Sequence, residues 1–386
     1  MLASKTNAPS QALEKDRDGT WQVYGYEEAK ILMRGSVTQA GFNTEKMRDS
    51  PFIPSPIPAI DGDEHRERRS GIGKFFTPST VNKQYRAMIE QFTDRAIAQM
   101  PRGETFDFKD YTTQVASDVV CEILGLKHST KAGLPDRFLH VAENPDVGSL
   151  ALSIDEMRRT LWSAKMLLNF WRWDVQPAIK ANRNNPQHNL ISHMIAKAYS
   201  PFSILIECIT YAFAGMTTTR EYMCSVLELC CQNSDYKHIM LSDNQEARTR
   251  LLYEILRLNP VTSHLTRRAV EDITVESDGI SYQIAQGELI VFNILEIDTD
   301  SRALGDDAHE LNPQRDFRSR IMWSMFAFGD GNHRCPGEAL AILETDLLLK
   351  KLLQHNIEVI SYPSRSYNDP TKTNELYDFR IRLSDA

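Results

Sequence analysis

The sequence predicts a mainly α protein with a minor β part. Three observations carry this. Apolar residues recur at helical spacing over 79–100, 109–126, 153–182, 187–199, 201–232, 245–258 and 338–355. Strand-like runs are short and fall late, between 270 and 300 and at 356–361 and 377–383. The longest helical stretch, 201–232, is apolar nearly all round, as a helix running through an interior must be.

In chain order, residues 1–18 read as a flexible leader, polar and without the apolar core of a signal peptide. Residues 20–24 (TWQVY) read as a strand and 26–34 as a short helix. Four prolines in 51–60 forbid regular helix and fix an extended loop, the kind that walls or lids a binding site. Helices then dominate as far as the late strands.

Composition narrows the function classes. Of 386 residues, 41% are apolar and 25% charged, which excludes a disordered or collagenous chain. The net charge of −8 disfavours nucleic-acid binding by the whole surface. No run of about 18 uninterrupted apolar residues occurs, so no membrane span is expected and the chain is placed in the cytoplasm. Six cysteines, at 121, 208, 224, 230, 231 and 335, form no CxxC pair and no zinc spacing. Length alone gives about two to three domains.

The most informative segment is Phe328-Gly-Asp-Gly-Asn-His-Arg-Cys335-Pro-Gly337. Gly329 and Gly331 permit a tight loop, and Pro336 opens a helix, where its missing N–H costs nothing. Cys335 then lies at a helix N-terminus, whose N–H groups and dipole favour a thiolate. A lone thiolate held this way suits axial ligation of a haem iron.

FGDGNHRCPG resembles the haem-binding loop of the cytochrome P450 superfamily. The resemblance implies that Cys335 is the metal ligand, that Phe328, Gly329 and Gly337 shape the loop around it, and that His333 contacts a haem propionate. Other motifs follow in the family's order. Glu254-Ile-Leu-Arg257 resembles its ExxR helix, with Arg315 in LNPQRDF as the third member of a structural ion-pair triad. His65 and Arg69 resemble its HxxxR helix, and Arg267 its propionate arginine. Ala214-Gly215-Met216-Thr217-Thr218, midway along the long apolar helix, resembles its oxygen-binding groove. There a threonine hydroxyl bonds the carbonyl four residues back, here Thr218 to Ala214. The family carries an acid immediately before that threonine, and this chain has Thr217. Glu221 lies one turn beyond Thr218.

The resemblance covers roughly 19–386 and implies a single-domain cytochrome P450 fold enclosing haem b. It implies a monooxygenase that inserts one oxygen atom from O2 into a small or mid-sized, mainly hydrophobic substrate, in the setting of natural-product metabolism. Substrate would lie between 40–60, the 206–218 helix and 261–266, against Leu205, Ile209, Phe213, Ala214 and Val261. Electrons would come from a ferredoxin or flavodoxin with its NAD(P)H reductase. Arg66, Arg68, Arg69 and Lys74, with Arg334 and Lys350, would form the basic docking patch. A monomer without nucleic-acid or membrane partners is expected. Two alternatives stay open. One is a peroxide-using or non-oxygenating haem-thiolate enzyme (rearrangement or coupling). The other is a haem-containing binding protein without turnover.

Overall fold

The computed structural model describes residues 11–51, 53–143, 154–317, 321–368 and 372–384. Helices form most of it, as the apolar spacing requires. Phe108–Leu124 starts where Asp107 accepts the Lys109 amide and stops at Gly125, whose φ of +91° ends a helix without a Cβ clash. Helix 78–99 passes through a π turn at Val81–Tyr85, and a second π turn at Trp171–Val175 lies between Ile154–Phe170 and Gln176–Asn184. Among the described helices of eight residues or more, Leu134–Glu143 and Ser234–Leu241 were not foreseen. The second starts where Asn233, having ended the preceding helix, caps two amides of the next.

The helix Pro201–Gln232 is central. Ser200 accepts the Ser203 amide and Pro201 occupies the first turn. Its length and mean hydropathy (1.2) are those that a membrane-spanning helix also has. Here it is packed among helices, with Tyr222, Met223, Cys224, Val226 and Leu227 all buried. Each such side chain contributes roughly 1.5–3 kcal/mol.

The largest sheet has five strands in the order Leu13–Lys15, Trp21–Val23, Leu289–Asn293, His264–Ala269, Val37–Gln39. The Trp21–Val23 and Leu289–Asn293 pair is parallel and the rest antiparallel. Leu13–Lys15 corrects the expected leader: Leu13 is fully buried and pairs with Val23. The remainder of that leader, 1–10, lies outside the described residues. Strands Asn356–Ser361 and Arg380–Ser384 pair as expected and take in Thr105–Asp107. Ser364–Asn368 and Thr373–Tyr377 form a separate hairpin. The proline-rich segment is extended except for one 3-10 turn, Ile57–Ala59.

Candidate active site

Three elements converge on Cys335. The first is its own loop. The Cys335 amide donates to the Phe328 carbonyl at 2.8 Å, closing the loop on itself. Gly331 has φ +69°, and a Cβ there would overlap the Met33 carbonyl oxygen, so this position takes only glycine. Arg34 Nε bonds Asp330 Oδ2 at 2.7 Å and ties the loop to the Tyr26–Arg34 helix. The following helix is Glu338–Leu352, capped at Gly337, so Pro336 precedes the helix instead of opening it. Cys335 is accessible on one side and otherwise surrounded by protein, which reconciles its exposed surface with its desolvation. Burial pushes the free thiol up, outweighing the Gly337 amide and Arg69, which pull it down. The expected thiolate preference is therefore not met by the loop alone; binding a metal would have to displace the proton.

The second element is a polar cluster beside the loop. His65, on helix Gly62–Gly73, is buried, with its ring centroid 4.2 Å from that of His333. His333 Nε2 donates to Asp61 Oδ1 at 2.7 Å, and Arg48 bonds the other Asp61 oxygen at 2.7 Å. Burial raises the Asp61 carboxyl, but His333 and Arg48 outweigh it and hold it low. Burial lowers His65 to about 4, helped by His333 and Arg69, and also lowers His333. Both rings are thus neutral at pH 7, and the positive charge of the cluster comes from its arginines, set against the Asp61 carboxylate. Arg69 donates to the Arg334 carbonyl, and Arg267 to the Gln39 side-chain oxygen and the Thr266 carbonyl. Burial lowers both, Arg267 to about 10. A buried Arg267 and a half-buried Arg69, both ending on neutral oxygens, fit a dianionic group such as the two carboxylates of haem. Asp61, Gln39 and Arg48 escaped the sequence reading because their partners are distant in the chain.

The third element is the central helix. Phe213–Thr217 is a π turn, a widening common at functional sites. Thr217 Oγ1 bonds the Phe213 carbonyl and Thr218 Oγ1 the Ala214 carbonyl, each at 2.7 Å. Ala214 is exposed where its neighbours Ala212 and Met216 are buried, so the turn bares one small face. A Cβ on Gly215 would lie 2.7 Å from Val120, so that glycine serves helix packing. Glu221 cannot replace the missing acid. It is buried, its Oε1 meets Lys109 and Arg220 at 2.9 Å each, and its Oε2 accepts the Leu376 amide at 2.7 Å.

The expected ion-pair triad is uneven. Glu254 and Arg257 form two bonds, 2.7 and 2.9 Å, both side chains about 1% exposed or less. Arg257 also donates to the Asp298, Ala308 and Glu310 carbonyls. Arg315 Nε stands 3.5 Å from Glu254 but bonds to nothing, while its other nitrogens go to Asp307 and Glu310. Glu254 instead takes the Asn312 amide at 3.0 Å.

Of the expected substrate contacts, Phe213 faces Phe42, ring centroids 6.4 Å apart. Phe42 and Asn43 both hold φ near +57°, a conformation non-glycine residues rarely adopt. A cavity of about 230 Å³ lies there, lined by Ala40, Gly41, Phe42, Asn43, His264, Thr266 and Lys372. Ile209 is half-buried against the core that takes in Leu205. Leu205 is a core residue, 5% exposed, and Val261 is half-buried against a different cluster. The expected docking patch is also corrected. Arg69 turns inward, Arg66 pairs with Asp63, and Arg68 is held by Glu64, the Ser55 carbonyl and the Tyr199 ring. Lys350 lies apart from them, in a groove of about 590 Å³ that also holds Arg86, Arg102, Arg248 and Lys351 against Glu90 and Asp94.

Comparison with known proteins gives the same picture. A sequence model of the family described as Cytochrome P450 matches residues 163–376. The chain is 26% identical over 319 residues to the plant-inducible cytochrome P450-pinF1 of Rhizobium radiobacter, covering 80% of this chain and 71% of that protein. It is 22% identical over 358 residues to the erythromycin C-12 hydroxylase of Saccharopolyspora erythraea, covering 90% and 85%. Its fold is similar to that of P450BioI, solved with an acyl carrier protein ligated to hexadec-9Z-enoic acid, with TM-score 0.77 and 18% identity, covering 97% of this chain and 96% of that one. The family match spans more than half of this chain, and the chain belongs to the cytochrome P450 family, as a haem b oxidoreductase of the monooxygenase type.

Proposed function

We propose that this protein inserts one oxygen atom into a small or mid-sized, mainly hydrophobic organic substrate, with Cys335 as the axial ligand of its haem. The observation that carries the reading is the pairing of one half-enclosed thiol with two arginines, Arg267 buried and Arg69 half-buried, that end on neutral oxygens. Arg69 and Arg267 would take the haem carboxylates as charges, with His65 and His333 as neutral hydrogen-bonding neighbours. Haem held there supplies dioxygen activation and oxygen-atom transfer. The chain's own part is positional. The π turn presents Ala214 as a small face, and the Thr218 hydroxyl, spending its proton on the Ala214 carbonyl, keeps its lone pairs to hold a proton donor beside it. Substrate enters past Phe42 and Phe213 from the cavity at His264 and Lys372. Similarity to an erythromycin hydroxylase supports a natural-product substrate. The carbon monoxide spectrum argued in the Discussion tests the ligand assignment.

Electrons come from a separate ferredoxin or flavodoxin with its NAD(P)H reductase, and the 590 Å³ groove is the docking surface. Of its five Lys or Arg side chains, Arg86, Arg248, Lys350 and Lys351 pair with Glu90, Asp346, Asp243 and Asp94, and Arg102 carries the charge offered to an acidic partner. Ferredoxin-supported turnover is expected to fall by roughly tenfold between 0.05 and 0.5 M salt, as exposed charges are screened. Arg102→Glu is expected to reproduce the loss at low salt. Salt-independent turnover rejects this surface. The chain works as a monomer and one cytoplasmic catalytic domain, since residues 61–69, 214–218, 254–257, 267 and 328–337 serve one site.

A second reading, peroxide-driven turnover, is favoured by one observation: Thr217 is no acid and Glu221 is locked in ion pairs. Thr217→Asp is expected to lower peroxide release per NAD(P)H consumed by roughly tenfold, as a positioned acid restores proton delivery. Unchanged coupling in that variant, with brisk turnover on added peroxide, would establish the second reading instead.

A further inference from the structure

Glu207 sits seven residues before Ala214 on the central helix and has no part in the reaction above. It is 4% exposed. Its Oε1 accepts the Ile57 amide at 3.0 Å and lies 3.7 Å from an Arg68 nitrogen. Its Oε2 is buried with no partner. A carboxylate offers about four acceptor positions, so a buried one with a single hydrogen bond is under-satisfied. Those contacts join three parts of the molecule. Ile57 belongs to the proline-rich loop and is itself buried. Arg68 belongs to helix Gly62–Gly73, which carries His65 and Arg69, and it also donates to the Ser55 carbonyl in the loop.

We propose that Glu207 is a positioning residue. When protonated it holds the proline-rich loop and the Gly62–Gly73 helix seated on the central helix, and when ionised it draws in water and lets the loop lift. This rests on the reading that 51–60 walls the substrate chamber. The charged and titratable groups around it are few. Arg68 faces it from helix Gly62–Gly73, with Glu64 sharing that guanidinium. Tyr199 faces it from the segment after helix Leu190–Ala196 and is touched by the fields of Arg68, Glu64 and Glu67. Cys208 and Tyr211 share its own helix, Tyr211 also sensing Arg69. The loop contributes an amide and no charge at this point.

Burial raises Glu207 to about 7, against the pull of Arg68 and the Ile57 amide. Lifting the loop hydrates the carboxyl and returns it toward its ordinary range, so ionisation favours the lifted loop as pH rises through neutrality. Global stability runs the same way. A carboxyl with a raised folded pKa contributes stability that is full below its ordinary range and lost as pH rises through about 7.

The test uses the haem-loaded full chain. Hydrogen exchange of the 53–60 amides is followed from pH 6 to 8, each rate divided by its intrinsic rate at that pH. Protection is expected to fall about tenfold across that range as the carboxyl ionises near 7. Glu207→Gln keeps an acceptor for Ile57 but cannot ionise, so its profile is expected to be flat. Glu207→Leu is expected to leave the loop unprotected at both pH values while raising Tm at pH 8, since the orphaned oxygen is gone. A flat wild-type profile overturns the proposal, even if a variant fails to load haem, and so does a Gln variant that tracks wild type. Exchange needs no turnover, so a failed clamp leaves the ligand assignment standing, and a failed carbon monoxide spectrum leaves the exchange result standing.

Discussion

Cys335→Ser is expected to abolish the strongly red-shifted Soret band of the reduced, carbon monoxide-bound protein and to cut turnover at least ~10³-fold, about 4 kcal/mol of barrier. The variant should fold. The structural share of Cys335 is its amide, which bonds the Phe328 carbonyl, and serine keeps that bond. The side chain is nearly the same size and is accessible on one side. What changes is the ligand: a hydroxyl in place of a sulfur that gives up its proton to a metal and donates electron density. A purified Ser variant that retained the band would end the assignment of Cys335. A second outcome, loss of the band with the protein unfolded, is separated by its circular dichroism and Tm.

Arg257→Ala is expected to destabilise the fold by about 3–5 kcal/mol, enough to unfold much of the protein or prevent cofactor loading. The guanidinium is fully buried and makes five hydrogen bonds, two to Glu254 and three to backbone carbonyls. Removing it strands the Glu254 carboxylate and three acceptors in the interior. Glu254→Gln is expected to cost less, since its amide still accepts from Arg257 and from the Asn312 amide. Arg315→Ala should cost less again, because Arg315 meets Glu254 only at 3.5 Å and otherwise serves Asp307 and Glu310. Urea denaturation of the three variants checks the order, and equal losses would contradict this reading of the triad.

Where function is encoded locally, the sequence was informative. The Cys335 loop is ten consecutive residues whose glycines and proline have one plausible use. Glu254 and Arg257 are three apart on a helix, so their pairing follows from helical geometry. Thr218 reaching Ala214 is the same kind of local fact. Local reading failed where the partner is remote. Asp61 meets His333 across 272 residues and Gln39 meets Arg267 across 228, distances no periodicity reports. Leu13–Lys15 is three residues long and is a strand only because Trp21–Val23 lies beside it. Charge counting drew the docking patch too widely, because Arg69 turns inward and Lys350 lies apart from Arg66 and Arg68. Leu205 and Val261 were assigned to the pocket from a helix face and a neighbouring motif; Leu205 lies in the core and Val261 is half-buried against another cluster.

The strap between the Cys335 loop and the Tyr26–Arg34 helix also bears on how the molecule comes into being. Asp330 and Gly331 lean on Arg34 and Met33, about 300 positions earlier in synthesis. A nascent chain halted near residue 300 owns the helix but not the loop, and neither can take its final shape without the other. At about 5–20 residues per second, the early helix waits many seconds for its partner. Cofactor capture therefore belongs to the released chain, and long-range closure of this kind makes it a late, slow step in maturation.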